Sequence, residues 1–483
     1  MKKEISVITT NYRRHQYLQE TEKLAFVPDD PGPDGDEACE FIVYPEAKYQ
    51  KIEGFGGAWT EAAAYNFESL SPEKQAEILD LYFDQEKGIG YTTCRLTINS
   101  SDFAREIYSY DDTPEDFELK DFDMKHEESW MFPSLKKIEA KCPDVEFFCS
   151  PWSPPAWMKT NGRMDKGGSL RKDCYESWAL YFVKYIERMR SEGVNLFAVT
   201  VQNEAKAEQG WESCYYSAED ERDFAVNYLR PALDKAGLQD IKIFFWDHNK
   251  ERTVNRALTC IGDPEGDKTF AGIALHWYSG DHFDALSVFH TLFPDKLILG
   301  TENSASAHDP VLYSTGEHYA HDILGDLNNF ANGWVDWNMI LDETGRPYHW
   351  GDEQVQFKKD YDAGIITDEN MDEIQKRFLK HTMKKGPWCG GAPISVDEEG
   401  HIILNSPYYY MGQITKFIRP GAVRLGSSLY TTKLEGTAFE NPDGTIAMVV
   451  MNRNDQDMPL TLRCHDDIAK TAIPAHSIKT FIF

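Results

Sequence analysis

The amino-acid sequence predicts an α/β protein: a (β/α)8 TIM barrel with an attached antiparallel β-sandwich domain. Two observations carry this. Between about residues 50 and 390, eight short β-rich runs alternate with longer stretches of helical periodicity. Beyond residue 390 the texture changes to short β-rich runs separated by turn signals.

The eight runs are 51–59 (KIEGFGGAW), 91–98 (YTTCRLTI), 145–150 (VEFFCS), 195–202 (NLFAVTVQ), 241–247 (IKIFFWD), 272–278 (GIALHWY), 296–301 (KLILGT) and 333–340 (GWVDWNMI). Several are nearly unbroken apolar stretches, the pattern of strands covered on both faces. Helical segments lie between them at 71–84, opened by Ser71-Pro72-Glu73, at 173–190, and at 217–235 after a Ser217 cap. Eight β–helix units in series specify a barrel. The competing architecture, an open doubly wound sheet, is disfavoured because the chain lacks a phosphate-binding glycine fingerprint.

The later runs, 394–404, 421–438, 445–452, 459–463 and 477–483, are punctuated by turns such as Asp397-Glu398-Glu399-Gly400 and Asn441-Pro442-Asp443-Gly444. They read as an antiparallel sandwich. Strand-like runs at 4–10 and 40–44 surround an acidic Pro/Gly loop at 28–37 and are placed to add strands to it. The chain thus divides into 1–45 (N-terminal strands of the sandwich), 46–390 (the barrel) and 391–483 (the C-terminal sandwich).

A net charge of −30 argues against nucleic acid or an anionic membrane surface as a partner, since either would be repelled. A neutral sugar meets no such penalty. No stretch approaches the roughly 18 to 20 apolar residues of a membrane span. The segment MKKEISVITTNYRRHQYLQE lacks the apolar centre of a signal peptide, so a cytoplasmic location is expected. The nine cysteines are scattered without metal-ligand spacing and fit small buried hydrophobes in a reduced protein. No metal or cofactor is expected.

In a barrel, reactive groups gather where strands end and βα loops begin. The fourth run ends Gln202-Asn203-Glu204 and the seventh Thr301-Glu302-Asn303; the sixth ends His276-Trp277-Tyr278. The second leads to Asp102, the third to Ser150-Pro151-Trp152, and the eighth carries Trp334 and Trp337. Two carboxylates at one mouth suit glycoside hydrolysis, in which one protonates the leaving oxygen while the other attacks the anomeric carbon. A lone glutamate at a strand end is more often a salt-bridge partner, but here each has an asparagine beside it and aromatics around it. Trp152, Trp337 and Tyr278 offer rings on which the C–H face of a sugar stacks.

Arg95, inside the second run, needs a buried anion. Two readings stand: it holds a mouth carboxylate ionised, or it is an ordinary structural pair. His248 fits the leaving-group side or a loop contact, the loop being preferred, and Glu61 reads as structural. Gly54, Gly56 and Gly57 have the wrong spacing for a dinucleotide site and read as a tight strand-end turn. The chain has no Gly-x-Ser-x-Gly elbow, P-loop or His-Glu-x-x-His helix.

These residues resemble glycoside hydrolase family 30, the glucosylceramidase-like retaining β-glycosidases. The matching segments, in family order, are Gly54-Phe55-Gly56-Gly57-Ala58, Arg95 to Asp102-Phe103, Ser150-Pro151-Trp152-Ser153 with Lys159-Thr160-Asn161-Gly162, Asn203-Glu204, His276-Trp277-Tyr278, Thr301-Glu302 and Trp337-Asn338. The resemblance implies a double displacement that retains β configuration, with Glu204 as acid/base and Glu302 as nucleophile. It also implies sugar-binding roles for Asp102, Trp152, Asn203, His276, Tyr278 and Trp337, with Tyr278 and Arg95 positioning the nucleophile. The acid must rest protonated, so burial and the Glu302 anion are expected to raise the pKa of Glu204. Asn203 is expected to hydrogen-bond the sugar's 2-hydroxyl.

Where the family often has proline after the acid/base, this chain has Ala205-Lys206-Ala207-Glu208, and where it often reads Gly-Pro-Asn-Trp late in the barrel, Arg346-Pro347-Tyr348-His349-Trp350 stands. Both changes fall on mouth loops and bear on the leaving group. The expected substrate is a β-glucoside, as a small glycoside or oligosaccharide, with β-xylosides or β-1,6-glucan as alternatives within the family. The alternative of another class is a catalytically silent carbohydrate-binding protein.

Overall fold

The computed structural model describes residues 4–29, 39–304, 313–367, 371, 376 and 390–483. Most of the acidic loop at 28–37 lies outside the described residues.

Eight parallel strands close into a barrel in chain order: Gly54–Ala58, Thr93–Ile98, Glu146–Pro151, Leu196–Thr200, Lys242–Asn249, Gly272–His276, Leu297–Glu302 and Gly333–Asp336. Side chains alternate along a strand. One inward layer is therefore dry: Phe148, Ala198, Phe244, Ala274, Leu299 and Val335 pack together inside the barrel. Two residues further toward the mouth, the same face carries Ser150, Thr200, His276, Thr301 and Trp337, all buried. Composition thus switches from apolar to polar within one step of the pleat, and the polar layer floors the mouth.

The fifth strand breaks this rule. Continuing its alternation from Phe244 would aim the indole of Trp246 into the mouth. Instead Trp246 (φ 76°) and Asp247 (φ 44°) are left-handed, and the register against the sixth strand shifts between Ala274 and Leu275. Trp246 turns out into the helix layer, where Arg256 lies 5.1 Å from its ring centroid. Asp247 takes the inward place.

Gly54-Phe55-Gly56-Gly57 corrects the sequence reading of a strand-end turn. These residues are the first barrel strand itself, and the glycines permit close approach to the second. A Cβ on Gly56 would sit 1.7 Å from the Thr93 carbonyl oxygen.

Helix Pro72–Phe83 starts where Ser71 accepts a hydrogen bond from the Lys74 backbone N–H (3.4 Å), with Pro72 in its first turn. Helix Tyr175–Ser191 buries a full aromatic face. The segment expected as one helix over 217–235 is interrupted: a π-turn over Ala225–Leu229 separates Ala218–Phe224 from Arg230–Lys235. Pro231 has no N–H for the next rung, and the wider turn absorbs the break.

The second body is a ten-stranded sheet folded over Val7, Phe41, Val43, Leu425, Met448, Val450, Leu462 and Phe481. Glu4–Asn11 lies between Gln16–Ala25 and Ser477–Ile482, so both ends of the described chain meet there. Its pairing is antiparallel except where Met458–Cys464 runs parallel to Glu40–Lys51. The run 394–404, expected in the sandwich, instead forms a small sheet of Ile394–Val396 and Ile402–Leu404 with Ile340–Asp342. That sheet follows the eighth barrel strand. Helix Ser406–Thr415 links the two bodies: the Tyr408 hydroxyl donates to the Leu81 carbonyl (2.9 Å) in a barrel helix, and Gln413 Nε2 donates to Thr10 Oγ1 in the sheet. Among the described residues no helix is long and apolar enough to cross a membrane.

Candidate active site

The polar floor opens into a cleft of about 530 Å³ at the C-terminal mouth. Glu302, the last residue of the seventh strand, is fixed from two sides. Arg95 Nη1 donates to its Oε2 (2.5 Å) and the Tyr278 hydroxyl to its Oε1 (2.9 Å). Arg95 is fully buried and fully engaged: Nη2 also donates to Asn203 Oδ1 and to Asp247 Oδ2 (both 2.8 Å), and Ser150 Oγ accepts from Nε (3.3 Å) and Nη2 (3.2 Å). Trp152 and Trp337 stack at 5.0 Å, and the guanidinium carbon lies 4.8 and 5.6 Å from their ring centroids.

Glu204 stands just past the fourth strand in a left-handed conformation (φ 50°), which a glutamate adopts only when its surroundings enforce it. Its backbone N–H is held by the Asp247 carbonyl (2.8 Å), and its Oε2 accepts from Gln209 (2.8 Å). His276 lies between the two glutamates: its Nδ1 is 3.7 Å from Glu204 Oε1 and 3.9 Å from Glu302 Oε1. Its Nε2 pairs with Asp247 Oδ1 at 3.0 Å. Named with the sugar-contacting residues in the sequence reading, His276 is in fact sealed beneath the carboxyls and does not line the cleft. Its ring sits in the inward polar layer, below the side chains that line the cleft.

Asp102, Trp152, Asn203, Tyr278 and Trp337 all line the cleft. Asn203 gives its oxygen to Arg95, so its amide N–H groups face the cleft with no protein acceptor among the described residues. Asp102 Oδ1 is buried without a partner among the described residues, and burial together with the charges of Glu302, Glu212 and Glu204 pushes its carboxyl well above the usual range.

The proton balance differs from the expectation for Glu204. Burial does push this carboxyl up, but protonated His276 beside it and the Gln209 hydrogen bond more than offset that and hold it down at about 2. His248, its own basicity reduced by burial, adds to this only when it carries a proton. Burial opposes a charge on His276, yet Glu302, Asp247 and Glu204 raise it to about 9. Glu302 is raised by burial, with His276 and Arg95 pulling it back. These opposed shifts favour the dissociable proton on His276, between the two carboxyls.

Asp247 is the residue that sequence reasoning missed. It accepts from Arg95, from Thr200 Oγ1 (2.7 Å) and from Thr301 Oγ1 (2.6 Å), pairs with His276, and remains ionised despite full burial. Of the two readings of Arg95, the geometry shows pairing with both a mouth carboxylate and this structural anion. His248, preferred as a loop contact, lines the cleft with Nδ1 3.7 Å from Glu204 Oε1. Trp211 and Trp350, meeting edge-to-face at 4.6 Å on the cleft rim, were also missed; indoles on loops give no periodic signal.

A parallel barrel with opposed carboxyls, an aromatic platform and sugar-sized space at its mouth defines a glycoside hydrolase. Residues 52–384 match the glycosyl hydrolase family 30 TIM-barrel domain, and residues 421–481 the family 30 β-sandwich domain. The chain belongs to glycosyl hydrolase family 30. It is 32% identical to the lysosomal acid glucosylceramidase of Mus musculus over 462 residues, 91% of this chain and 82% of the mouse protein. SrfJ from Salmonella typhimurium is similar along the whole chain, with a TM-score of 0.87 and 31% identity over 100% of this chain and 99% of SrfJ. The endo-β1,6-glucanase BT3312 superposes with a TM-score of 0.82 at 26% identity, covering 99% of each chain.

Proposed function

We propose that the protein is a retaining β-glycosidase that acts on β-glucosides, with Glu302 as nucleophile and Glu204 as acid/base. The observation that carries this reading is the asymmetry between the carboxyls. Glu302 is clamped by Arg95 and Tyr278, which orient a carboxylate toward one point. Among the described residues Gln209 is the side chain that donates to Glu204, which faces the cleft beside a proton source.

In the first step Glu302 attacks the anomeric carbon from below as Glu204 passes a proton to the departing oxygen, leaving a glycosyl ester on Glu302. The nearest source of that proton is His276 Nδ1, 3.7 Å from Glu204 Oε1, and the two must close to hydrogen-bond distance before it passes. A bound sugar drives that transfer by displacing water and disfavouring an ionised Glu204. Attack neutralises Glu302, and Arg95 then pairs with Asp247. In the second step Glu204, now ionised, takes a proton from water, which displaces Glu302 with the configuration restored. Trp152 and Trp337 carry the sugar's C–H face, the Asn203 amide reaches the 2-hydroxyl, and the Asp102 carboxyl hydrogen-bonds a hydroxyl further out.

Glucose as the glycone is supported by the glucosylceramidase and 1,6-glucanase names of the relatives. Trp211, two residues from the Gln209 that holds Glu204, lines the cleft with Trp350; indoles beside the acid/base suit a second sugar as aglycone, which favours small gluco-oligosaccharides, β-1,6-linked ones included. Hydrolysis of p-nitrophenyl glycosides, with NMR of the first-formed anomer, tests the proposal. Release from the β-glucoside with β-glucose appearing first is the expected result. First-formed α-glucose would overturn the mechanism, and preference for the β-xyloside would overturn the substrate. Glu302→Gln is expected to form no glycosyl-enzyme.

A further inference from the structure

The mouth holds a second chemical possibility that hydrolysis does not use. His248, on the fifth strand, and His276, on the sixth, each present Nδ1 to the same oxygen, Glu204 Oε1, at 3.7 Å. The three candidate ligand atoms lie within 4.8 Å of one another. Neither Nδ1 has a hydrogen-bond partner among the described residues, although the His276 side chain is fully buried. Tetrahedral zinc with bonds of about 2.0–2.1 Å places its ligand atoms roughly 3.4 Å apart, so a shift of a few tenths of an ångström closes the glutamate–imidazole edges.

From these observations we infer that Glu204, His248 and His276 form an inhibitory site for a borderline divalent transition-metal ion, with Zn²⁺ as the reference ion. The inhibitory part rests on the acid/base role proposed for Glu204. Three further features fit. Asp247 Oδ1 engages His276 Nε2 at 3.0 Å, which fixes the ring and leaves Nδ1 as the donor atom, the carboxylate–imidazole–metal arrangement common to zinc sites. The carboxyls of Asp247, Glu204 and Glu302 face two cations, Arg95 and the protonated His276; a dication takes the place of the His276 Nδ1 proton, which leaves to solvent, and together with Arg95 it then balances the three carboxylates. Glu204 and His248 line the cleft, so an ion enters from solvent and keeps a fourth position open to water. A Glu204 oxygen bound to the metal holds no proton for the leaving group. Zn²⁺ is therefore expected to compete with substrate and to stop the first step.

The test uses the full chain stripped of metal with chelator, then titrated with Zn²⁺ alone by calorimetry and with Co²⁺ by visible absorption. One equivalent is expected to bind at this site, with a tetrahedral Co²⁺ spectrum. His248→Asn keeps a polar side chain and removes the imidazole ligand. It is expected to weaken Zn²⁺ binding at least tenfold and to raise the inhibition constant in parallel; Glu204→Gln is expected to weaken binding too. Absence of binding to the wild type, or affinity unchanged in both variants, overturns the site. The calorimetry requires no turnover, so it stands even where the proposed glycosidase activity fails. Binding that is lost in the variants but does not inhibit the wild type would keep the site and refute the acid/base role of Glu204.

Discussion

Replacing Arg95 by methionine tests the electrostatic core of the site most directly. The guanidinium is fully buried and pairs with two buried carboxylates, Glu302 at 2.5 Å and Asp247 at 2.8 Å. Methionine retains much of the packing against Trp152 and Trp337 but leaves both anions without their cation. Removing one partner of a buried ion pair destabilises by about 3–5 kcal/mol, so unfolding in denaturant should show a loss of that size. The catalytic effect has a definite sign. Burial already raises Glu302, and His276 and Arg95 pull it back. An opposite charge at this range lowers a carboxyl by about 1–3 pH units. Its removal therefore moves the acid limb of kcat/KM to higher pH by about that amount. Arg95→Lys keeps the charge but not the fork that reaches four groups, and should fall between. Denaturation curves and kcat/KM against pH on p-nitrophenyl β-glucoside read both effects. A folded Arg95→Met protein whose acid limb stays in place would refute the assignment of Arg95, beside His276, as a group that keeps Glu302 ionised.

Three other outcomes are expected. Tyr278→Phe removes one hydrogen bond to a carboxylate, worth about 1.5–3 kcal/mol, and should lower kcat/KM about 10- to 100-fold while stability stays close to wild type; unchanged kinetics would remove Tyr278 from the mechanism. Trp211→Ala should raise KM for a gluco-oligosaccharide more than for an aryl glucoside, because Trp211 lies on the rim and not on the floor; equal changes would place it elsewhere in the binding path. Asp111 has its carboxyl pushed up to about 6, chiefly by burial, so the folded protein keeps a proton between about pH 4 and pH 6 that the unfolded chain has released. Stability therefore falls as pH rises through that window, and Asp111→Asn should gain about 1–2 kcal/mol at pH 7.5 and nothing at pH 4. Equal effects at the two pH values in denaturant titrations would contradict this.

The barrel is legible in the chain because strands covered on both faces leave unbroken apolar runs, and each of the eight strands overlaps one of them. The positions of Glu204 and Glu302 follow from the same logic, since both close a run. Asp247 does not. Strict alternation gives its place to Trp246, and only two left-handed residues and a register shift reverse the pair. The split of 217–235 is legible in hindsight from Pro231, whereas the loop indoles Trp211 and Trp350 converge from distant segments without periodicity. Proton placement is the least legible property. The reading of Glu204 weighed burial and Glu302, but the deciding group is His276, whose charge comes from three carboxyls brought together only by the closed barrel.

The hub at Arg95 has a consequence for how this scaffold can change. One side chain on the second strand grips groups from the third, fifth and seventh strands and from the residue preceding Glu204. It works as a drawstring on the upper rim: the mouth cannot dilate to admit a bulkier glycone without letting go of the groups that react. New substrates must therefore be accommodated above that ring, by the loops, and the plane where the bond breaks keeps one girth whatever the loops come to recognise.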